Sequence, residues 1–136
     1  MREPLKRESK ELLLLTLGAV PGGLLRWQLD LAAAAQAGPG AALLQASLLA
    51  NLSGCLLIGL LIVQPASRAR LYLWAGVGFC GSLTTFSSWM LSIAQQLTLG
   101  HWLGVTAIVA GNLLGGLLLV ACGAWLGSAL LDRNQP

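Results

Sequence analysis

Long apolar stretches alternate with short polar segments along the chain. Four such stretches cover about residues 12–35, 41–63, 71–97 and 103–130. Each is at least as long as the roughly 20 residues that an α-helix needs to cross the hydrocarbon core of a bilayer. The pattern therefore predicts an all-α integral membrane protein, in which four transmembrane helices form a single membrane domain over residues 1–136.

The third stretch departs from ordinary membrane helix between Gly76 and Trp89, where the sequence reads GVGFCGSLTTFSSW. Three glycines each weaken a helix by up to about 1 kcal/mol relative to alanine, and five hydroxyl side chains crowd the second half of the segment. Carbonyls freed by a broken helix can hold an ion near the membrane midplane. The segment predicts a third helix broken in mid-membrane around an ion-handling site. The alternative is a closely packed helix whose hydroxyls bond to its own backbone.

Small residues mark two places where helices are expected to pack closely. In the first span, glycines around Pro21 predict a kink or a close helix contact. In the fourth span, two glycine pairs with small-xxx-small spacing predict a packing seam. These glycines are Gly18, Gly22 and Gly23 in the first span and Gly111, Gly115, Gly123 and Gly127 in the fourth.

The composition supports a membrane protein and excludes several other classes. Charged residues make up only 10% of the chain, whereas a soluble domain usually has about 25%. The formal net charge of +3 provides no basic face of the kind that binds nucleic acid. We therefore expect a lipid bilayer as the surroundings and no nucleic-acid partner.

Basic residues are concentrated on one side of the predicted membrane. Four spans place both termini on the same side, and the opposite side has at most Arg26. The positive-inside rule then predicts cytoplasmic termini and a multi-pass protein of the cell inner (plasma) membrane. The basic residues on the cytoplasmic side are Arg2, Lys6, Arg7, Lys10, Arg68, Arg70 and Arg133.

A few polar side chains lie inside the predicted spans. Arg26 and Asp30 fall one helical turn apart, so they are either functional residues within the membrane or interfacial residues beside Trp27. Asn51 lies near the middle of the second span, where an amide either joins helices or donates to a passing anion. We interpret Asn112, in the fourth span, as a residue that joins helices.

The usual chemistry of enzymes and metal centres is missing from the sequence. His101 is the one histidine, so a cluster of histidine and cysteine ligands cannot be assembled within the chain. Cys55, Cys80 and Cys122 fall on three different predicted spans and are interpreted as packing residues. The sequence therefore predicts that the protein is not an enzyme.

Three motifs together indicate a family. They are Gly22-Gly23-x-x-Arg26, Asn51-x-x-Gly54 and the run GFCGSLTTFS from Gly78 to Ser87. With these motifs in this order, the chain resembles the small fluoride channels of the Fluc or CrcB type over essentially its whole length. The resemblance implies a fluoride-selective ion channel that lets cytoplasmic fluoride leave passively and so reduces fluoride toxicity.

The resemblance also implies an assembly and a bound cation. Two four-helix subunits pair antiparallel and enclose two fluoride pathways. A structural sodium ion, which is not transported, lies at the centre of the dimer. By the family motif its ligands are the backbone carbonyls of Gly81 and Thr84.

The residues of the fluoride path follow from the same resemblance. Asn51 matches the pore asparagine, and Phe86 matches the first phenylalanine of a pore-lining pair. The hydroxyls of Thr85 and Ser88 continue the polar track. Physical chemistry agrees with these roles, because amides and hydroxyls can replace the water around fluoride, and the edge of an aromatic ring is positive. Arg26 is a candidate for a structural or vestibule role.

The sequence departs from the family pattern in two respects. The second phenylalanine of the family pair is Trp89 here, which keeps an aromatic edge and adds an N–H donor. The strong charge asymmetry is also unexpected in a homodimer of dual topology. Either the amino-terminal charges count weakly because Glu3, Glu8 and Glu11 accompany them, or the subunit pairs with a separate, oppositely oriented partner. An antiparallel homodimer is the main expectation, and a heterodimer stays open.

A small multidrug-type cation/proton antiporter is the alternative function. Such a transporter needs a carboxylate within the membrane to exchange protons against its substrate. Glu3, Glu8 and Glu11 all precede the first span, and Asp30 lies beside Arg26 near the end of that span. The sequence therefore favours the channel.

Overall fold

The computed structural model describes the backbone of residues 2–37 and 39–132 and the side chains of residues 7–35 and 46–132. All regular secondary structure within these ranges is helical. The elements are α1 (Arg2–Ala37), α2 (Pro39–Ile62), α3 (a run of four short segments, Ala66–Arg68, Ala69–Leu71, Tyr72–Cys80 and Gly81–Leu83), α4 (Ser87–Thr98) and α5 (Trp102–Asp132).

Three helical regions of the described chain are long and apolar enough to cross a membrane. They are Arg7–Ala35 in α1, Ala66–Thr98 through α3 and α4, and Trp102–Asp132 in α5. Ala46–Ile62 in α2 forms a shorter apolar helix. The prediction of an all-helical, multi-pass membrane protein is therefore confirmed. Large apolar side chains such as Leu103 (85% exposed) cover the outer surface, as expected for a protein surrounded by lipid.

Helix α1 packs against α3 almost backbone to backbone. A Cβ atom added at Gly18 would collide with the Trp74 carbonyl oxygen, and one added at Gly22 would collide with the Phe79 carbonyl oxygen. At Gly78 a Cβ atom would lie 2.7 Å from the Leu15 carbonyl oxygen. The predicted close contact in the first span is thus confirmed, and the absence of side chains is what permits it.

Helix α2 packs in the same way against α5. A Cβ atom at Gly59 would lie 3.0 Å from Gly123 Cα, and one at Gly127 would lie 3.0 Å from the Leu60 carbonyl oxygen. At Gly115 a Cβ atom would lie 3.1 Å from Leu52 Cδ2. The packing seam predicted on the fourth span is therefore confirmed.

Helical structure is interrupted between α3 and α4. Tyr72–Cys80 is π-helical, with hydrogen bonds one residue wider than those of an α-helix. After Leu83 the chain leaves the helix, because Thr84 is extended (φ −80°, ψ 153°). Helix α4 begins at Ser87. Of the three residues between the helices, Thr84 and Thr85 contact α2. The segment from Thr84 to Phe86 forms the centre of the site described next.

Candidate functional site

The peptide group of Thr85 is bound by a side chain instead of by helix backbone. Asn51 Oδ1 accepts the Thr85 N–H at 2.8 Å, and Asn51 Nδ2 donates to the Thr85 carbonyl oxygen at 3.0 Å. One turn later on α2, Gly54 leaves room for the Thr84 side chain, whose Cγ2 a Cβ atom at Gly54 would strike. In the motif Asn51-x-x-Gly54, the asparagine therefore binds the interrupted backbone and the glycine makes room for it.

This arrangement removes the helical partners of two carbonyl groups. In a continuous α-helix each carbonyl accepts from the amide four residues later. The amide four residues after Gly81 belongs to Thr85, which donates to Asn51 at 2.8 Å. The amide four residues after Thr84 belongs to Ser88, which donates to Thr85 Oγ1 at 3.4 Å. Both carbonyls predicted to bind sodium thus lose the amide partner that a continuous helix would give them.

Hydroxyl groups form a cluster on the α4 side of the interruption. Thr85 Oγ1 lies 3.2 Å from Ser87 Oγ and 3.3 Å from Ser88 Oγ. Ser92 continues the row, since its hydroxyl donates to the Ser88 carbonyl oxygen at 3.1 Å. Hydroxyls can turn to donate or accept, so the cluster can present O–H groups to an anion.

Arg26 belongs to the same cluster. Its Nη2 donates to Ser88 Oγ at 3.3 Å, and its Nε donates to Asp30 Oδ2 at 3.1 Å. Nη2 also lies 3.1 Å from Asp30 Oδ1, an ion-pair contact without hydrogen-bond geometry. The arginine side chain is 11% exposed, and its Nη1 is buried without a hydrogen-bond partner. Of the two roles open for Arg26, the structure favours the buried one.

Two aromatic rings stand next to the hydroxyl cluster. The ring centroids of Phe86 and Trp89 are 5.3 Å apart, and the ring planes meet at 88°. In this T-shaped pair the positive edge of one ring faces the negative face of the other. Phe86 is 68% exposed, although it begins the turn of helix that follows the interruption. An aromatic ring this exposed is available to line a path beside the helix.

Asn112 also takes part in the site, a role that our sequence analysis missed. Its Oδ1 accepts from Asn51 Nδ2 at 2.9 Å, and its Nδ2 donates to the Ile108 carbonyl oxygen at 3.0 Å. The prediction that Asn112 joins helices is confirmed, because this contact links α5 to α2. Its position as the one strongly polar side chain of an apolar span was the available signal. The sequence did not show that it binds Asn51.

The structure thus brings most of the predicted site residues together. Hydrogen bonds connect Asn51 to Thr85, Thr85 to Ser88 and Ser88 to Arg26. Phe86 and Trp89 contact each other beside this chain of bonds. The described part of the chain contains no group of three histidine, cysteine, aspartate or glutamate side chains suited to a metal ion, so any cation bound here must use other oxygens.

Comparison with known proteins places the chain in a family. The family model described as CrcB-like protein, Camphor Resistance (CrcB), matches residues 13–124. A relative named fluoride-specific ion channel FluC 2 from Parasynechococcus marenigrum is 42% identical over 132 residues, which cover 97% of this chain and 92% of the relative. A relative named fluoride-specific ion channel FluC from Haemophilus ducreyi is 39% identical over 114 residues, which cover 82% of this chain and 87% of the relative. The chain therefore belongs to the CrcB family.

Proposed function

We propose that this protein is a fluoride-selective ion channel that lets cytoplasmic fluoride leave the cell passively and so reduces fluoride toxicity. The observation that carries the proposal is the polar track that runs from Asn51 through Thr85 and Ser88 to Arg26, beside the interruption of the third helix. Membership of the CrcB family and the names of the relatives support the same function.

The track suits a small and strongly hydrated anion. Fluoride gives up bound water only where donors replace it at short range, and the hydroxyls of Thr85 and Ser88 can do so. Phe86 and Trp89 add positive ring edges, which attract an anion more weakly than a full charge would. Asn51 lies at the end of this track opposite Arg26. Several weak sites in sequence favour conduction, because the ion is bound well enough to enter and loosely enough to leave.

Arg26 contributes positive charge that is largely balanced. An unpaired arginine beside the track would attract fluoride and then hold it. Here Asp30 pairs with the guanidinium through two contacts of 3.1 Å. We assign Arg26 to the vestibule, where it orients Ser88 and attracts anions without trapping them.

A structural sodium ion fits the interruption of the third helix. The carbonyls of Gly81 and Thr84 lack their helical partners, and carbonyl oxygens are ligands of hard cations. A Cβ atom added at Gly81 would meet no atom within 4 Å, so there is open space beside the Gly81 Cα atom within the described chain. The bound ion would neutralise the freed carbonyls and fasten the two subunits of a dimer, without being transported itself.

We propose an antiparallel homodimer in the inner (plasma) membrane, with the interruption at mid-membrane depth. The exposed apolar side chains on all helices leave surface for a second copy as well as for lipid. Dual topology of one polypeptide would give both orientations. A separate, oppositely oriented partner is the alternative, because the sequence predicts seven basic residues on one side of the membrane against at most one on the other.

The small multidrug-type antiporter has no support from the family or from the relatives, which are named ion channels. The structure also pairs Asp30, the carboxylate nearest the membrane interior, with Arg26 at 3.1 Å. Ion conduction is a non-enzymatic function, in agreement with the expectation that the protein is not an enzyme.

Fluoride efflux from liposomes tests the proposed function. The purified protein is reconstituted, fluoride release is followed with an electrode, and the measurement is repeated with chloride. We expect fast fluoride release, negligible chloride release and no release from protein-free vesicles. If fluoride is not released, either the chain needs a separate partner or the proposed function is wrong. Adding an oppositely oriented family member distinguishes these two explanations. Recovery would indicate a heterodimer, and continued failure would overturn the proposed function.

A further inference from the structure

Both donor groups of the Asn51 side chain are used inside the protein. An asparagine amide has two N–H donors and one oxygen acceptor. One N–H of Asn51 donates to the Thr85 carbonyl oxygen at 3.0 Å, and the other donates to Asn112 Oδ1 at 2.9 Å. Asn51 Oδ1 accepts the Thr85 N–H at 2.8 Å. In this arrangement Asn51 acts on the backbone of the track, because neither of its N–H groups is left over for a passing ion.

The orientation of both amides follows from this network. The Thr85 N–H needs an oxygen acceptor and the Thr85 carbonyl needs an N–H donor. Together they fix which side of the Asn51 amide carries the oxygen and which carries the nitrogen. The remaining N–H of Asn51 needs an acceptor from Asn112, whose own Nδ2 donates to the Ile108 carbonyl oxygen at 3.0 Å. Turning either amide over would set donor against donor and acceptor against acceptor, which is costly for buried groups. The network thus has one consistent arrangement, and Asn112 anchors it to α5.

We propose that Asn112 is a positioning residue of the fluoride pathway, which holds the Asn51 amide in the orientation that keeps the Thr85 peptide out of the helix. This inference rests on the proposed function. Because Asn51 binds the Thr85 N–H, that amide does not return to the Gly81 carbonyl, its partner in a continuous α-helix. Asn112 therefore preserves both the polar track and the free carbonyl of Gly81.

A role limited to joining α2 and α5 does not account for the bond between Asn51 and Asn112. Helices α2 and α5 already meet through Gly59 and Gly123, where a Cβ atom on Gly59 would lie 3.0 Å from Gly123 Cα. A hydrogen bond that only joined the helices could use any two polar groups on them. The bond from Asn51 to Asn112 instead uses the one N–H that the Thr85 peptide leaves over, so it controls how the amide is turned.

Hydrogen exchange at Thr85 tests the proposal without relying on conduction. The chain has five threonines, so isotopic labelling of threonine in the full-length protein gives a short set of amide signals for NMR. We expect Asn112→Leu, which removes the acceptor at similar volume, to speed exchange of the Thr85 amide by roughly tenfold, the effect of about one lost hydrogen bond. Asn112→Asp keeps an oxygen acceptor and should leave Thr85 protected.

A matched control and a second readout complete the test. Thr106→Val removes a polar group from the same helix, but its hydroxyl bonds only within that helix, to the Trp102 carbonyl oxygen at 3.0 Å. It should leave Thr85 exchange unchanged. In liposomes, Asn112→Leu should also raise the sodium concentration that supports half-maximal fluoride efflux by roughly tenfold, because the Gly81 carbonyl regains its helical partner.

Three results would overturn the positioning role. One is wild-type Thr85 exchange in Asn112→Leu, and another is exchange in Asn112→Asp that is as fast as in Asn112→Leu. If Asn112→Leu is not recovered as folded protein, fast Thr85 exchange in Asn112→Asp alone would decide against the proposal, and protection there would support it. Wild-type protein that protects Thr85 but releases no fluoride would instead contradict the proposed function.

Discussion

Arg26 and Asp30 form an ion pair one helical turn apart on α1, with Nε 3.1 Å from Oδ2 and Nη2 3.1 Å from Oδ1. The arginine side chain is 11% exposed and the aspartate side chain is 40% exposed. The arginine end of the pair is therefore buried among the helices, and the aspartate end reaches the surface. Because Nη2 also donates to Ser88, Asp30 limits the positive charge that the hydroxyl cluster experiences.

Removing this carboxylate should make the vestibule bind fluoride more tightly. In Asp30→Asn the charge of Arg26 beside Ser88 is no longer balanced, so we expect the fluoride concentration for half-maximal efflux to fall by about threefold, with a lower maximal rate. Initial efflux rates over a range of fluoride concentrations measure both effects. Glu11→Gln is the matched control, because Glu11 pairs with Arg7 at the same spacing on the same helix with both side chains more exposed. Equal behaviour of the two variants would contradict the role of Asp30.

Replacing Asn51, the proposed pore asparagine, with aspartate should sharply reduce flux. A carboxylate in Asn51→Asp cannot donate to the Thr85 carbonyl oxygen or to Asn112, and its charge repels the anion. We expect efflux to fall by about tenfold or more at neutral pH. Ser53→Ala is the control on the same helix, because the Ser53 hydroxyl bonds only to the Ala50 carbonyl oxygen at 3.0 Å. Undiminished flux in Asn51→Asp would count against its place in the pathway.

An aliphatic side chain in place of Phe86 should slow conduction. Phe86→Ile keeps an apolar residue at a position that is 68% exposed, but it removes the positive ring edge and the T-shaped contact with Trp89. Because the anion would lose one weak attractive site along its path, we expect efflux to fall severalfold. Trp102→Leu changes an aromatic residue that is 70% exposed outside the site and should conduct normally. A wild-type rate in Phe86→Ile would remove Phe86 from the path.

The elements of this fold were predictable from sequence because a bilayer restricts backbone structure so strongly. A span of about 20 apolar residues must satisfy its own hydrogen bonds, and a helix does so. The glycines and hydroxyls of the third stretch likewise predicted that its backbone would be unusual. One boundary differs, since α1 begins at Arg2 while the apolar span begins near residue 12. The polar residues there continue the helix, with Arg7 and Glu11 joined at 3.1 Å.

The contacts of the site were not predictable in the same way. Asn51 and Asn112 are separated by 61 residues, and they meet only because α2 and α5 are rotated so that both amides face inward. The glycine seam indicates which face of α5 packs closely, but no local pattern shows that Gly59 and Asn51 of α2 meet that face. For the same reason the sequence left two roles open for Arg26, whose contact with Ser88 also spans 62 residues.

Alanine substitution at two adjacent glycines on α1 should change the stability of the protein in opposite directions. In Gly22→Ala the new methyl group would strike the Phe79 carbonyl oxygen, and helix α3 would have to move. Overpacking of this kind costs about 1–3 kcal/mol. At Gly23 a Cβ atom meets nothing within 4 Å, so Gly23→Ala should be neutral or gain up to about 1 kcal/mol of helix propensity. Thermal unfolding in detergent compares the two, and equal stability would contradict the packing of α1 on α3.

Sodium removal should weaken the assembly or its conduction. The Gly81 and Thr84 carbonyls have lost their helical partners to Asn51 and to the Thr85 hydroxyl. Without a cation, nothing would neutralise their partial negative charges at the centre of the proposed dimer. We expect protein purified throughout in potassium at equal ionic strength to dissociate more readily on dilution, or to release fluoride more slowly, and sodium to restore it. Size-exclusion chromatography and efflux from the same preparation measure the two effects. Identical dimer content and efflux rate in protein from which bound sodium has been fully removed would count against the central ion, and would mean that the freed carbonyls are satisfied by water.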